Sequence, residues 1–169
     1  KKWLIQIEEK GEVAIDTETT SLDPHQANLV GISIATDIGK AGYIPLGHVN
    51  GNNLNEKKVI KILKPILEDS SIKKIGQNIK FDFIILYHRG INMNSMEDTM
   101  LMSYVLDAGK NRHNMDTLSE IHLNHKTISF KDLVGTGKKQ INFSEVGVNN
   151  AKDYSAEDAD ITLRLYKIF

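Results

Sequence analysis

Two acidic side chains stand together at the end of a strand pattern. Asp16 and Glu18 follow an apolar run in "EVAIDTETTSLD", residues 12–23. Because residues i and i+2 of a strand lie on the same side, the two carboxylates point together while Thr17 points away. Like charges at this spacing repel each other, and removing either from water costs free energy. The pair therefore predicts a bound group of opposite charge.

A third acid lies inside an apolar helix. Asp82 stands between two phenylalanines in "NIKFDFIIL", residues 78–86. A helix that is apolar on nearly all sides is buried, so Asp82 is expected to be buried with it. Asn78 precedes Asp82 by four residues and is predicted to share its face.

The last helix separates its acids between two faces. Tyr154, Asp158, Ile161 and Leu165 follow a helical spacing and are predicted to face inward. The opposite face is predicted to be solvated and carries Glu157, Asp160, Arg164 and Lys167. Asp158 is thus the one acid of "AEDAD" that points at the core.

Four buried carboxylates need compensation, since an unpaired buried charge costs several kcal/mol. Lys80 and Arg112 are candidate partners, but two cations cannot neutralise four acids. The chain has no cysteine, and oxygen ligands alone suit Mg²⁺ or Mn²⁺ better than a structural zinc. Carboxylates gathered around two such ions are typical of phosphodiester cleavage. His122 and His125 have neither a cysteine nor an H-E-x-x-H helix beside them, so no zinc site is predicted there.

Hydrophobic periodicity predicts the elements that carry these acids. The predicted strands cover residues 12–17, 29–36, 41–45 and 72–76. The predicted helices cover residues 2–10, 53–70, 78–90, 95–107, 115–123 and 151–169. Asp98 and Asp116 are assigned to helix caps, and Thr117 with Glu120 fits a capping box. The order predicts an α/β or α+β layered domain with a mixed central sheet flanked by helices.

Composition indicates one ordinary globular domain over residues 1–169. Hydrophobic residues make up 40% and charged residues 25% of the chain. No apolar run is long enough to cross a bilayer and no signal peptide is recognisable, so we expect a cytoplasmic protein without membrane contact. The net charge of −1 does not by itself indicate nucleic-acid binding. Carboxylates committed to cations would nevertheless offset basic residues placed elsewhere.

The acids and their spacing resemble a known family. Asp16-x-Glu18, Asn78-x-x-x-Asp82 and Tyr154-x-x-x-Asp158 occur in the order of the three motifs of the DEDD 3′–5′ exonucleases, in the tyrosine branch. Longer runs, among them "GQNIKFD", "RHNMDTL", "HKTISF" and "YSAEDADITLRLY", are similar to the proofreading exonuclease domain of bacterial DNA polymerase I. Each motif alone is weak, but the ordered set spans nearly the whole chain.

The resemblance implies a ribonuclease H-like fold and two-metal-ion hydrolysis. Asp16 would contact both ions, Glu18 and Asp158 would help to hold the first, and Asp82 would hold the second. Mg²⁺ or Mn²⁺ is expected, and Zn²⁺ is allowed at one of the two positions. Tyr154 would orient the attacking water. The products would be nucleoside 5′-monophosphates released from a 3′ end.

The same resemblance implies contacts to the substrate strand. Leu22 and Phe130 would wedge or stack against the last bases, although burial in the core is an equally good reading of both. Contacts to the backbone or terminus of the strand are expected from Thr19, Gln77, Asn78, Lys80 and Arg112. Alternatively, Arg112 pairs with Asp107 or Asp116, and Lys80 only neutralises the acids.

The predicted function is 3′–5′ exodeoxyribonuclease activity on single-stranded or frayed DNA, in a monomeric domain of a longer DNA polymerase. Two alternatives stay open. One is an exoribonuclease similar to RNase D, which shares the carboxylates. The other is a silent exonuclease-like scaffold, whose signature would be the loss of an acid; none is missing here.

Overall fold

A five-stranded mixed sheet forms the centre of the molecule, whose computed structural model describes residues 2–169. The strands are β1 (Glu12–Thr19), β2 (Leu29–Asp37), β3 (Lys40–Pro45), β4 (Lys73–Gly76) and β5 (Met96–Asp98), in the spatial order β3-β2-β1-β4-β5. β1 pairs with β2 and β2 with β3 in antiparallel fashion, whereas β1–β4 and β4–β5 are parallel. The predicted mixed sheet is confirmed.

Helices cover both faces of this sheet. They are α1 (Lys2–Lys10), α2 (Glu56–Glu68), α3 (Ile79–Tyr87), α4 (Thr99–Asp107), α5 (Met115–Leu123), α6 (Phe130–Val134) and α7 (Val148–Ile168). One core cluster joins β1 to α1, α2 and α3, and the other clusters join the opposite face to α5, α6 and α7. No helix within residues 2–169 combines the length and apolarity that a membrane span needs.

The alternation of β1 decides which helix each of its side chains meets. Val13 and Ile15 pack in the cluster that contains α3, while Ala14 packs against α7. Continuing the alternation, Asp16 and Glu18 belong to the α7 side, and Thr17 belongs to the α3 side. The strand register then shifts directly after Glu18. Such irregularities re-aim side chains and are common beside active sites.

Three local predictions are wrong. Residues 95–107 do not form one helix, because Met96–Asp98 pairs with β4 as β5 before α4 begins at Thr99. The predicted capping box of Thr117 and Glu120 is absent, since α5 begins at Met115 and Thr117 already lies inside it. Asp116 lies in the first turn and accepts a hydrogen bond from the Thr127 hydroxyl (2.7 Å) instead of capping. Asp98 does cap α4, by accepting from the Met100 amide (2.9 Å).

Helix α4 is unusual because its apolar side chains face outward. Its buried residues are the polar Thr99 and Ser103. Its exposed residues are apolar or aromatic and are 57–80% exposed: Leu101, Tyr104, Val105 and Leu106. Together with β5 and α3, this helix borders an apolar groove of about 610 Å³.

Candidate active site

Three of the four predicted acids meet at the end of β1. Asp16, Glu18 and Asp158 each offer a carboxylate oxygen, and these oxygens all lie within 4.8 Å of one another. β1 supplies the first two acids and α7 supplies the third, so the cluster joins the sheet to its longest helix. The sequence prediction that Asp158 faces inward is confirmed by its burial.

A serine on α7 holds Glu18 in place. The Ser155 hydroxyl donates a 2.7 Å hydrogen bond to Glu18 Oε1, and both side chains are buried. Burial raises the pKa of Glu18 well above its usual range, and the charges of Asp16 and Asp82 raise it further. The bond from Ser155 opposes this shift because it favours the ionised carboxylate.

Asp82 lies beside the cluster on the other side of β1. Its Oδ1 accepts hydrogen bonds from the Thr17 amide (2.9 Å) and from the Thr17 hydroxyl (2.6 Å). Burial and then the charge of Asp16 raise its pKa well above the usual range, and both Thr17 bonds oppose that rise. Asp82 is buried as predicted, but it is not one of the three acids whose oxygens converge.

The other two acids are also shifted upward. Burial raises the pKa of Asp16 to about 6, against a smaller opposing effect of the Thr17 backbone. Burial raises the pKa of Asp158 well above its usual range, and the charges of Asp16 and Glu18 add to the rise. No lysine, arginine or histidine nitrogen of the described chain lies within 4.0 Å of these carboxylates.

This donor set fits a divalent cation. Buried carboxylates without basic partners repel one another, and a doubly charged ion among them would remove the repulsion and favour their ionised forms. All the ligand atoms are hard oxygens, which suits Mg²⁺ or Mn²⁺. Asp16, Glu18 and Asp158 thus form a metal-binding acidic cluster.

An aromatic wall beside the acid cluster consists of Tyr154, Phe130 and Phe143. Tyr154 lies one turn before Asp158 on α7, and its ring centroid is 6.0 Å from that of Phe130 and 6.1 Å from that of Phe143. Phe130 stacks nearly parallel to Phe143, with an interplanar angle of 3°. Burial and then the charge of Asp158 raise the pKa of Tyr154, so its phenol stays protonated.

A cleft of about 350 Å³ opens in front of this wall. Its lining includes Glu18, Thr19, Leu22 and Phe130. Leu22 is 95% exposed and Phe130 is 42% exposed. The reading of Leu22 and Phe130 as buried core residues is therefore wrong, and both are accessible from the cleft.

The remaining predicted contacts are more scattered. The Gln77 amide is used internally, because it donates to the His113 carbonyl (2.8 Å) and accepts from the Thr99 hydroxyl (2.5 Å). Asn78 does not share the helical face of Asp82, since it is the exposed, left-handed residue (φ 62°) that precedes α3. Lys80 is exposed at the rim of the apolar groove.

Arg112 is exposed, and neither proposed pairing for it is found in residues 2–169. Asp107 is paired with Lys110, and Asp116 bonds Thr127. Arg112 is therefore available to a ligand.

Sequence reasoning missed several residues of the site. Thr17 was predicted to point away from the acids, yet it holds the one acid that arrives from the opposite face. Ser155 stands three residues before Asp158, a spacing that places the two on one helical face and could have indicated it. Asn142 and Phe143 also line the cleft, from a segment whose sequence has no helical or strand period.

The predicted solvated face of α7 is also partly wrong. Asp160 accepts from the Gly39 amide (2.6 Å) and pairs with Arg164 (2.7 Å), and Glu157 is bonded as well. His125 is one partner of Glu157, whereas His122 packs edge-on against Phe169. The two histidines therefore have separate partners.

Comparison with known proteins decides the family. All of residues 1–169 match a protein-family model described as 3′–5′ exonuclease. The chain belongs to that family. It is a 3′–5′ exonuclease domain of the DNA polymerase I type. The resemblance on which the sequence prediction rested is therefore confirmed.

Two relatives and one solved structure show how far the likeness extends. DNA polymerase I of Rhizobium leguminosarum is 44% identical over 188 residues, and that of Pseudomonas aeruginosa is 43% identical over 175. The matches cover 99% and 98% of the exonuclease chain but only 18% and 19% of the relatives. Brucella melitensis NrnC with bound Mg²⁺ superposes with a TM-score of 0.70 at 24% identity, over 96% of this chain and 73% of that one. That superposition supports the ribonuclease H-like fold.

Proposed function

We propose that the domain is a two-metal-ion 3′–5′ exodeoxyribonuclease. It removes nucleoside 5′-monophosphates one at a time from the 3′ end of single-stranded or frayed DNA. The observation that carries this proposal is the convergence of Asp16, Glu18 and Asp158, without a basic partner in the described chain, beside an open cleft whose lining includes Glu18.

The four carboxylates hold the cations. The charge of Asp16 acts on each of the other three carboxylates, so Asp16 is the natural shared ligand. Glu18 and Asp158 would complete one position. Asp82, on the other side of Thr17, serves the second position. Two bound divalent ions would supply an activated water for attack on the terminal phosphorus and charge stabilisation for the departing 3′ oxygen.

Tyr154 orients the attacking water. Its phenol stays protonated because burial and the nearby carboxylates disfavour the phenolate. A neutral hydroxyl can donate to one partner and accept from another, so it fixes the direction of a water molecule without taking its proton. Ser155 keeps Glu18 aligned from the same turn of α7.

The substrate strand is held mainly by shape and stacking. Leu22 and Phe130 both line the cleft, although they are distant in the sequence. Stacking on apolar or aromatic side chains tolerates any base. Thr19 lies in the same lining. Asn78, Lys80 and Arg112 are exposed and would contact the phosphate backbone outside the cleft, which positions the strand without reading its sequence.

We further infer that the domain edits DNA as part of a longer polymerase. The matched relatives are DNA polymerases I, of which the chain spans about one fifth. The outward apolar face of α4 supports this, because a helix with Leu101 and Val105 exposed and Ser103 buried is suited to being covered by more protein. The polymerase part is the occupant we propose for that face.

The nuclease proposal is tested with 5′-labelled single-stranded DNA and RNA of matched sequence, with Mg²⁺ or Mn²⁺ and with EDTA. Wild type should shorten DNA from its 3′ end only when metal is present, and Asp16→Asn should abolish this. Asp160→Asn is the control, since that acid lies on α7 but outside the cluster. Preference for RNA would favour an RNase D-like enzyme, and no cleavage by a folded domain would favour a scaffold.

The polymerase proposal is tested by amide hydrogen exchange over residues 99–107. Exchange in this helix should be slower in the longer protein encoded by the natural gene than in the 169-residue chain. Equal exchange in the two proteins would contradict it. Exchange in the 169-residue chain that slows only at concentrations where dimers form would also contradict it, because a second copy would then cover the helix.

A further inference from the structure

Residues 124–129 connect α5 to α6 and lead directly to Phe130 at the cleft. The segment is anchored to α5 by two side chains: the Ser119 hydroxyl donates to the His125 carbonyl (2.8 Å), and the Thr127 hydroxyl donates to Asp116 (2.7 Å). Helix α6 has only five residues, so it cannot fix the position of Phe130 by its own stability.

Glu157 anchors the same segment to α7. Its Oε1 lies 2.8 Å from His125 Nε2, and its Oε2 accepts a 2.6 Å hydrogen bond from the Ile128 amide. Both carboxylate oxygens are therefore used, and the Glu157 side chain is only 18% exposed. A bidentate contact of this kind fixes direction as well as distance.

Glu157 stands next to Asp158 in α7, but its side chain points to the connecting segment instead of the acid cluster. The ring centroid of Tyr154, one turn earlier, lies 6.0 Å from that of Phe130. One turn of α7 thus carries Tyr154, Asp158 and the anchor of the segment that leads to Phe130.

We propose that Glu157 is a positioning residue that places Phe130 for the substrate strand by clamping His125 and the Ile128 amide. The proposal rests on the exonuclease function proposed above, because it assigns Phe130 to the DNA strand. Glu157 is not one of the converging acids, and it does not line the cleft. Its loss should weaken strand binding and leave the chemical step intact.

Steady-state kinetics on single-stranded DNA test the clamp. Glu157→Ala should raise KM about fivefold or more, the size expected when one stacking contact is lost, with kcat within about twofold of wild type. Phe130→Ala should raise KM similarly, and the double variant should match Phe130→Ala alone, because Glu157 acts through Phe130. Glu157→Gln should stay near the wild-type KM, since its amide oxygen can still accept from Ile128.

Asp160→Ala is the matched control. Asp160 is also a partly buried acid on α7 with two partners, and neither partner lines the cleft. Its loss should lower the melting temperature without raising KM. Should Glu157→Ala fail to fold, His125→Ala removes one of the two contacts and should give a smaller rise in KM.

Amide exchange measured by NMR gives a readout independent of activity. Exchange of the Ile128 amide should accelerate in Glu157→Ala and stay unchanged in Asp160→Ala. Additive effects of Glu157→Ala and Phe130→Ala on KM, a loss of kcat at unchanged KM, or an unchanged Ile128 amide would overturn the clamp. A wild-type domain that cleaves no DNA would instead contradict the nuclease proposal, and the exchange result would still decide whether the clamp exists.

Discussion

Thr17 and Asp82 are joined by two hydrogen bonds that cross from β1 to α3, one from the Thr17 amide (2.9 Å) and one from its hydroxyl (2.6 Å). Both end on the same carboxylate oxygen, Oδ1, so the second oxygen of Asp82 makes no bond to Thr17. The alternation that turns Asp16 and Glu18 toward α7 turns Thr17 toward α3. One strand therefore orders acids on both of its faces.

Thr17→Val should lower the cleavage rate without unfolding the domain. The variant keeps the shape and the amide donor but removes the hydroxyl donor to a charged group, a bond worth about 1.5–3 kcal/mol. We expect about a tenfold lower rate at limiting Mg²⁺, partly recovered at high Mg²⁺. Cleavage measured across a Mg²⁺ titration checks this.

Thr36→Val is the control for that substitution. Thr36 is a buried β2 threonine whose hydroxyl has no hydrogen-bond partner in the described residues. Replacing it should leave both cleavage and Mg²⁺ dependence unchanged. A Mg²⁺ dependence equal to wild type in Thr17→Val would show that the hydroxyl does not align Asp82.

The metal-free domain should lose stability as the pH rises from 3.8 through about 6 and above. The folded pKa of Asp16 is raised from 3.8 to about 6, and those of Glu18, Asp82 and Asp158 are raised further. Such groups stabilise the fold fully below their unfolded pKa, and this contribution is lost as pH rises through the folded value. Melting curves in EDTA measure the slope.

Asp16→Asn isolates the contribution of this acid to the slope. The amide has a similar shape and no charge, so the variant should melt higher than wild type in EDTA near pH 8 and show a flatter pH profile. Mn²⁺ should raise the melting temperature of wild type by several degrees and that of Asp16→Asn much less. A variant that melts lower than wild type throughout would mean that the Asp16 carboxylate is structural.

The sequence alone predicts the elements whose hydrophobic periodicity is strong. The Asp16–Glu18 pair follows from strand alternation, and the inward direction of Asp158 follows from the helical spacing of Tyr154, Ile161 and Leu165. These predictions depend on local geometry alone. The four predicted strands were found for the same reason, whereas the mixed sheet was predicted from the order of strands and helices.

What the sequence did not indicate depends on contacts between distant segments. β5 is three residues long and exists because β4 pairs with it, so its residues alone resemble the start of a helix. Thr17 and Ser155 were missed because their partners are 65 and 137 residues away in the chain. Glu157 was assigned to solvent because no local pattern reports the approach of residues 125–128.

Leu22→Ala should weaken strand binding and leave stability unchanged. Leu22 is 95% exposed, so its truncation removes almost no buried surface from the fold. A rise in KM for single-stranded DNA of about threefold or more is expected if it contacts a base. Ile38→Ala, an exposed apolar residue in the β2–β3 turn, should change neither quantity. An unchanged KM in Leu22→Ala would remove this residue from the substrate contacts.

Gly31→Ala should destabilise the domain and impair cleavage together. Gly31 lies opposite Glu18 in the β1–β2 pair, and a Cβ there would come within 2.1 Å of the Tyr43 hydroxyl and 2.2 Å of its ring. That hydroxyl donates to His48 Nε2 (2.7 Å), because His48 Nδ1 donates to the Val146 carbonyl (2.9 Å). Tyr43 therefore cannot withdraw without breaking this chain. We expect a loss of about 1–3 kcal/mol in the free energy of unfolding.

A double-mutant cycle attributes that cost to the collision with Tyr43. In the Tyr43→Ala background the space above residue 31 is empty, so adding Gly31→Ala should cost far less than it does in wild type. Gly147→Ala is the control, since Gly147 has φ −61° and no neighbouring atom within 4 Å of its ideal Cβ; its stability should be equal to or above wild type. Equal costs of Gly31→Ala in both backgrounds would mean that the damage comes from the strand backbone beside Glu18 and not from the tyrosine. Denaturant unfolding of wild type, both single variants and the double variant distinguishes a collision with Tyr43 from damage to the strand backbone. Cleavage is measured in parallel.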